Sequence, residues 1–226
     1  MKKNNINGWL FIDKPVGVTS FYVIKKIRKY LDIKKIGHSG TLDPLASGVL
    51  GIAIGEATKS IDYLNNKKEY EFNITFGESK TTEDLEGETL DSTRSIPNKT
   101  EIIAILKNFL GIIEQDPPKH SAIKMNGIRS YNLARKDINF ETKKRKVVIY
   151  DLVHVKQLNE YTHKFKTKCS SGTYIRSIGR DIAIKLNSLG YISFLRRTRI
   201  SKISEKNIIS LDNLIELVHI GNHFEM

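Results

Sequence analysis

Residues 69–77, EYEFNITFG, alternate between polar and apolar side chains with a period of two. This is the pattern of a β-strand that buries one face and exposes the other. Strand-like apolar runs recur along the chain, in GWLFID, GVLGIAIG, RKVVIYDLVHVKQL, HKFKTKCSS and FLRRTRIS. The sequence therefore predicts a sheet at the centre of the fold.

Five segments between or after these strands are predicted as helices. The first follows a cap at Thr19 or Ser20, the second runs from a cap at Asn98 to about Leu110, the third is a basic segment after a turn at Asn126-Gly127, the fourth follows Gly172, and the fifth starts near Leu211. No internal repeat, low-complexity linker or change in composition marks a domain boundary. We predict one domain, residues 1–226, of the mixed α/β (α+β) class, in which helices flank a largely antiparallel central sheet.

The first predicted helix separates apolar and basic residues. Phe21, Ile24 and Ile27 are predicted to form its buried face. Its four cations fall largely on the other side, namely Lys25, Lys26, Arg28 and Lys29. This arrangement is typical of a helix that packs one face on the protein core and exposes the other.

The chain is strongly basic, with 37 Lys and Arg residues against 25 Asp and Glu residues and a formal net charge of +12. The excess is concentrated in residues 117–150, which hold nine basic and two acidic residues, a net charge of +7. Residues 78–91, in contrast, are acidic. Such a basic segment is typical of a surface that binds nucleic acid or an anionic membrane, and a solvated charged face is the alternative.

Cys169 is the one cysteine of the chain. A single cysteine excludes an internal disulfide and a cysteine-based zinc site, and it fits a reducing compartment. No apolar run approaches the roughly 20 residues that a membrane span needs, and the first residues, MKKNNINGWLFIDKP, lack the apolar middle of a signal peptide. We expect a cytoplasmic protein with no membrane association.

Residues 37–50, GHSGTLDPLASGVL, contain three glycines, a histidine and one acid, Asp43, directly before a proline. In one interpretation Asp43 caps a single helical turn that Pro44 begins and Gly48 ends. In the other, this is a binding loop with one functional carboxylate, because glycines and small polar residues let the backbone approach a ligand closely. The residues alone leave both open. No set of His, Asp or Glu at metal-ligand spacing accompanies Asp43, so no metal is expected.

The same segment resembles the signature of the TruB family of tRNA pseudouridine synthases, with Ser39 and Ser47 where threonine is common in the family. Further similar blocks are DKPVGVTS near the start, Lys68-Glu69-Tyr70 in the alternating strand, PPKHSAIKMNG in the basic segment, and GTYIRSIGRDI followed by LRRTRI. They occur in the family's order from about residue 9 to residue 200. The resemblance thus covers most of the chain and implies the pseudouridine synthase catalytic fold.

The resemblance implies an isomerase that detaches uracil from C1′ of a uridine and rejoins it through C5. Asp43 matches the catalytic aspartate of the family, a covalent nucleophile toward C6 of the ring or toward C1′ of the ribose. The sequence leaves both routes open. No cofactor, metal or energy source is expected, because the product is an isomer of the substrate.

The same resemblance assigns substrate-binding roles to five further residues. Arg176 is expected to offset the charge of Asp43, and Tyr70 is expected to stack on the target base. His38 is expected beside the target nucleotide, and Tyr174 and Leu195 are expected to line the pocket. By residue type alone, each of the five could equally be an ordinary residue of the core, a loop or the surface.

The implied substrate is a uridine in the T-loop of tRNA, at the position numbered 55, which must be flipped out of the folded loop. Residues 117–150 match an inserted, thumb-like segment that closes over the RNA. Backbone contacts are expected from Lys143, Lys144, Arg145 and Lys146. Only about 26 residues follow Ile200, so we expect no separate C-terminal RNA-binding domain and a monomer that acts on the T-arm.

Two other functions are compatible with the same residues. An RNA-binding or tRNA-folding protein would use the basic segment without turnover. A nucleoside hydrolase would use the carboxylate on a glycosidic bond. Mapping of new pseudouridine distinguishes an isomerase from the first, and release of free uracil identifies the second.

Overall fold

The computed structural model describes residues 6–64, 67–118, 124–125, 128–129 and 143–224. The α-helices within these residues are α1 (Ser20–Leu31), α2 (Lys99–Leu106), α3 (Ile175–Lys185) and α4 (Leu211–Phe224). The strands are β1 (Gly8–Lys14), β2 (Ile36–His38), β3 (Ser47–Ile54), β4 (Lys67–Phe76), β5 (Glu78–Lys80), β6 (Thr89–Ser92), β7 (Gly111–Gln115), β8 (Lys124–Met125), β9 (Ile128–Arg129), β10 (Arg145–Gln157), β11 (Thr162–Ser170), β12 (Gly190–Ile200), β13 (Ile203–Ser204) and β14 (Ile209–Ser210).

The chain divides into two compact units, of which the first comprises Met1–Tyr70 and Leu195–Met226. In this unit β1 pairs antiparallel with β3 along its whole length and parallel with β14. β3, which is buried at every residue, also pairs antiparallel with β2 and parallel with the end of β12. Helix α4 packs on α1 and β1. The unit therefore surrounds one buried strand, β3.

The second unit comprises Glu71–Phe194. Its strands run in the order β4, β11, β10, β7, and β10 pairs antiparallel with both β11 and β7. β4 alternates between buried and half-buried residues, as its sequence predicts. The ring of Phe72 on β4 stacks on Phe165 of β11, with 5.5 Å between centroids. Full burial of such a side chain contributes about 1.5–3 kcal/mol, so this alternation fixes which face of the strand is covered.

Both units combine mainly antiparallel strands with packed helices, which confirms the predicted mixed α/β class. Thr19 caps α1 by accepting a hydrogen bond from the main-chain N–H of Tyr22 at 3.0 Å. Asn98 caps α2 as predicted, and Glu101 completes a capping box. The predicted end of α2 at about Leu110 is wrong, because the helix ends at Leu106 and a 3₁₀ turn follows.

The predicted burial of Phe21 is also wrong. Its side chain is 66% exposed, whereas Val23, Ile24 and Ile27 are buried. At about 100° per residue, Phe21 lies about 120° from Ile27 around the helix axis. By spacing alone, Phe21 lies at the edge of the apolar face of the helix. In the folded unit this edge is exposed to solvent and only the centre of the face is buried.

Most of the basic segment 117–150 lies outside the described residues. Within it the structure describes residues 117–118, the strands β8 and β9, which pair antiparallel, and the chain from residue 143. The thumb-like insertion and the single-domain organisation stay predictions. None of the helices in the described part of the chain is long and apolar enough to span a membrane.

Candidate active site

Residues 39–46 form a loop between β2 and β3. The main-chain N–H of Ala46 donates to the carbonyl of Asp43 at 3.0 Å and closes a single turn, but no helix follows. The predicted helical turn from Pro44 to Gly48 is therefore wrong, since Gly48 lies on β3. The Asp43 side chain is half-buried in this loop.

The start of α1 holds the residue before Asp43. The hydroxyl of Ser20, which is buried, accepts from the N–H of Leu42 at 2.9 Å and donates to the carbonyl of Leu42 at 3.1 Å. A hydrogen bond of this kind contributes about 0.5–1.5 kcal/mol, and a buried group left without one costs more. Two such bonds tie the loop to the end of a helix.

A buried lysine holds the residue after Asp43. The ammonium of Lys14 donates to three main-chain carbonyls, among them that of Pro44 at 3.4 Å. The N–H of Gly17 donates to the same Pro44 carbonyl at 2.8 Å. Lys14 is fully buried, so carbonyl oxygens take the place of water around its charge.

A buried arginine of β12 holds the loop from the other side. Arg197 donates from Nη2 to the carbonyl of Gly40 at 3.2 Å and from Nε to the carbonyl of Val49 at 2.8 Å. A Cβ atom on Gly48 would lie 2.3 Å from the Arg197 carbonyl oxygen, and the φ of Gly48 is +101°. Only glycine fits there. Asp43 thus lies in a loop whose flanking residues bond to two buried cations.

The first unit also contains three other predicted site residues. His38 is half-buried and is the last residue of β2. Tyr70 is 7% exposed on β4, and Leu195 is 5% exposed on β12. Leu195 directly precedes Arg196, which pairs with the first residue of β3. The strands that carry Leu195 and His38 therefore both pair with β3, which begins at the end of the Asp43 loop.

Arg176 lies in the second unit, on the first turn of α3, and is 4% exposed. Its Nη1 donates to the carbonyl of Thr82 at 2.9 Å and lies 3.7 Å from Oδ2 of Asp84. The other oxygen of Asp84 accepts from the Thr82 hydroxyl and from the N–H of Glu86 at 3.1 Å. The guanidinium is therefore held by a buried carboxylate of its own unit. Its expected pairing with Asp43 stays a prediction.

Tyr174 is the residue directly before α3. Its N–H donates to Oε1 of Gln115 at 2.8 Å, and its carbonyl accepts from Nε2 of the same side chain at 3.0 Å. Gln115 is fully buried. The guanidinium of Arg145 lies 5.5 Å from the centre of the Tyr174 ring, within cation–π range. The structure thus brings together two of the predicted RNA-contacting residues, Arg145 and Tyr174.

A second arginine of α3 forms an ionic cluster next to Arg176. Arg180 donates to Oε1 of Glu83 at 2.6 Å and to Oδ1 of Asp181 at 2.8 Å. Burial raises the pKa of Glu83 and of Asp181, and Arg180 opposes both shifts. The carboxylates in turn raise the pKa of Arg180 against the effect of its own burial. The start of α3 is therefore strongly tied to the loop after β5.

The other predicted backbone-binding residues are on the surface. Lys143, Lys144 and Lys146 are exposed, and Lys146 lies on β10. Long, exposed ammonium side chains can reach phosphates without losing a structural partner in the core.

Comparison with protein families identifies the family of the chain. The family model described as "TruB family pseudouridylate synthase (N terminal domain)" matches residues 28–175. The chain belongs to the TruB family of pseudouridylate synthases. It is therefore an enzyme of the isomerase class.

Curated TruB relatives align with nearly the whole chain. The tRNA pseudouridine synthase B of Ehrlichia ruminantium (strain Gardel) is 44% identical over 212 residues, which are 92% of this chain and 71% of the relative. The tRNA pseudouridine synthase B of Caulobacter sp. (strain K31) is 43% identical over 218 residues, 96% of this chain and 70% of the relative.

Two solved structures have the same fold over nearly the whole chain. One is a chain in the crystal structure of a Cbf5-Nop10-Gar1 complex, with a TM-score of 0.75 and 29% identity. Another is a chain in an H/ACA RNP bound to a substrate RNA containing 2′-deoxyuridine, with a TM-score of 0.72 and 26% identity. In both cases the match covers 97% of this chain and 56% of the solved one.

Sequence reasoning missed four residues that hold the Asp43 loop or another predicted site residue: Lys14 and Arg197 in the first unit, and Asp84 and Gln115 in the second. Lys14 directly follows the strand-like run GWLFID, and Arg197 lies within FLRRTRIS, so a charged residue in or next to an apolar run could have indicated burial. Asp84 lies in the acidic residues 78–91, and nothing in that stretch indicates that its side chain is buried. Gln115 gives no signal in the sequence, because its role depends on a contact with a residue 59 positions away.

Proposed function

We propose that this chain converts the uridine at position 55 in the T-loop of tRNA to pseudouridine, with Asp43 as the nucleophile. The observation that carries the proposal is the Asp43 loop: Ser20 and the buried cations Lys14 and Arg197 bond to main-chain groups on both sides of this acid. A loop held in this way presents a side chain to a substrate with little freedom to move, which lowers the entropic cost of reaction.

The choice of tRNA rests on the relatives and on charge. Both relatives described above are tRNA pseudouridine synthases B, at 44% and 43% identity. The net charge of +12 suits a polyanionic substrate. A tRNA substrate and the lone cysteine both agree with a cytoplasmic enzyme.

The chemistry requires one glycosidic bond to break and another to form. The N1–C1′ bond of uridine breaks, the freed uracil turns over, and a C5–C1′ bond forms. The proton on C5 is lost and N1 gains a proton, so substrate and product are isomers. An aspartate can serve this reaction by attack at C6 of uracil or at C1′ of the ribose, and in either case the covalent intermediate divides a difficult step in two. No redox or energy input enters the balance.

The other site residues take the roles that the family resemblance implies. Arg176 supplies a positive charge for Asp43, and Asp84 keeps the guanidinium oriented in the second unit. Tyr70 stacks on the target base. Tyr174 and Leu195 line the pocket, and His38 lies beside the nucleotide. A base that stacks on an aromatic ring gains about 1–3 kcal/mol, which offsets part of the cost of flipping it out of the T-loop.

RNA backbone contacts come from the basic segment. Lys143, Lys144, Arg145 and Lys146 bind phosphates in this proposal, and residues 117–150 form a thumb over the T-loop within a single catalytic domain. Each phosphate contact releases counterions from the RNA, so affinity falls as salt rises.

The test is to incubate the protein with an unmodified tRNA transcript and to map pseudouridine at single-nucleotide resolution. We expect modification of one T-loop uridine by the wild type. Asp43→Asn is expected to bind the transcript and to form no pseudouridine, whereas Asp62→Asn, an exposed acid of the same unit, is expected to keep full activity.

Three outcomes contradict the proposal. Normal turnover by Asp43→Asn removes the nucleophile assignment. Modification at another position of tRNA removes the T-loop assignment. Release of free uracil without pseudouridine indicates hydrolysis instead of isomerisation.

A further inference from the structure

The exposed side of α1 carries a row of one aromatic and three basic side chains. We call Phe21, Lys25, Arg28 and Lys29 the basic stripe. All four are exposed. Their spacing of four, seven and eight residues from Phe21 keeps them within about 100° of the helix circumference. Helix α1 itself contains no Asp or Glu.

The charges of the basic stripe are not neutralised within the described chain. None of its three cations forms an ion pair there. The neighbouring Lys26 differs, because its ammonium lies 5.4 Å from the centre of the Tyr22 ring, and a hydrogen bond to the Tyr22 side chain and, to a lesser degree, the charge of Asp212 raise its pKa. An ordinary solvated helix face mixes charges of both signs, as Lys59 and Glu56 do elsewhere in the same unit. The basic stripe therefore presents an unbalanced positive charge.

Helix stability explains only part of this arrangement. Cations in the last turn, here Arg28 and Lys29, interact favourably with the helix macrodipole. That effect does not reach Lys25, and it gives no reason for a phenylalanine that is 66% exposed at the first turn. An exposed aromatic ring in line with cations is the combination that binds single-stranded nucleic acid, through base stacking and phosphate contacts.

The basic stripe begins next to the Asp43 loop. Ser20, directly before Phe21, makes the two hydrogen bonds that hold Leu42, and Leu42 directly precedes Asp43. From Phe21 to Lys29 the helix rises about 12 Å. That length matches about three phosphates of one nucleic-acid strand. RNA that delivers a uridine to Asp43 would therefore have its neighbouring nucleotides within reach of α1.

We propose that the basic stripe binds the substrate RNA next to the target uridine. Lys25, Arg28 and Lys29 contact its phosphates, and Phe21 stacks on an unpaired base. This inference rests on the proposed function and adds a second RNA-binding surface, in the first unit, to the basic segment 117–150.

The test compares two triple variants with matched loss of charge. One is Lys25→Gln, Arg28→Gln and Lys29→Gln. The control is Arg94→Gln, Lys107→Gln and Lys185→Gln, three exposed cations of the second unit. Glutamine keeps helix propensity close to that of lysine and arginine, and urea unfolding checks that each variant is folded. The probe is an unmodified T-arm transcript, and its Kd is measured from about 0.05 to about 0.2 M salt.

The stripe variant is expected to bind the transcript about 10- to 100-fold more weakly at about 0.1 M salt. The slope of log affinity against log salt is expected to fall by about 2 to 3. Phe21→Ala is expected to weaken binding at least about fivefold with the slope unchanged. Lys25→Gln alone is expected to give about a third of the change in slope.

The inference is overturned if affinity and salt slope are unchanged, or if the control variant loses as much as the stripe variant. It is also overturned if the substitutions abolish binding to phosphatidylserine-containing vesicles and leave RNA binding intact, since the basic stripe would then serve a membrane. The proposed function can fail independently of this inference. If the wild type forms no pseudouridine, the proposed activity is refuted, but the binding measurements still show whether the basic stripe binds RNA.

Discussion

His163 is expected to make the stability of the protein fall as the pH is lowered from 7.5 to 5. Its side chain is fully buried, and its Nδ1 lies 2.9 Å from Nε2 of His154. The ring packs against the edge of Phe76, and its Nε2 has no hydrogen-bond partner among the described residues. Burial, and to a lesser degree the neighbouring His154, lowers the pKa of His163 from 6.5 to about 4.

The size of the effect follows from this difference in pKa. Between pH 6.5 and 4 the unfolded chain binds a proton at His163 that the folded chain does not bind, so stability is full above pH 6.5 and is lost as pH falls toward 4. At pH 5 the loss is about 2 kcal/mol. The pKa of His154 is also lowered, first by burial, and this shift acts in the same direction.

The assay is urea unfolding followed by circular dichroism at pH 7.5 and pH 5. His163→Leu removes the titrating group. Between pH 7.5 and pH 5 the unfolding free energy of this variant is therefore expected to fall by about 2 kcal/mol less than that of the wild type. Phe76→Leu is the control, because it weakens packing against the same ring without removing a proton site. It is expected to lower stability equally at both pH values. An equal pH dependence in wild type and His163→Leu would refute the reasoning.

Three further predictions concern the frame of the site. Ser20→Ala removes both hydrogen bonds to the residue before Asp43. We expect the free energy of unfolding in urea to fall by about 1–3 kcal/mol and kcat on tRNA to fall as well. Unchanged values would contradict the role of Ser20 in holding the loop. Gly48→Ala drives a Cβ into the Arg197 carbonyl at positive φ, so a thermal melt should show a loss of about 2 kcal/mol or more, and a wild-type Tm would contradict the close approach. Asp84→Asn leaves Arg176 facing a neutral partner, and single-turnover rates on bound tRNA should fall at least about tenfold while Kd changes little.

Local pattern was enough to predict the fold class and the longer elements, whereas the short strands β2, β5, β6, β7, β13 and β14 were not predicted. The period-two alternation of residues 69–77 predicts β4, and the caps Thr19 and Asn98 predict the starts of α1 and α2, because capping and alternation depend only on neighbours in sequence. The end of α2 and the exposure of Phe21 were not predictable in this way. Both depend on which surfaces meet in the folded chain, and no spacing rule contains that information.

The sequence also identified Asp43, but through resemblance, since its residues alone allowed a helix cap or a functional acid. In the tertiary structure residues 39–46 form a loop that leads directly into β3, and this loop is fixed from three sides by Ser20, Lys14 and Arg197. These three partners are 22 to 157 residues away from the groups they bond. Hydrogen bonds of such long range exist only once the strands have paired. By itself, therefore, the sequence determined the longer elements and, through the family resemblance, singled out Asp43 as the candidate nucleophile, while the surroundings that hold its loop came from the fold.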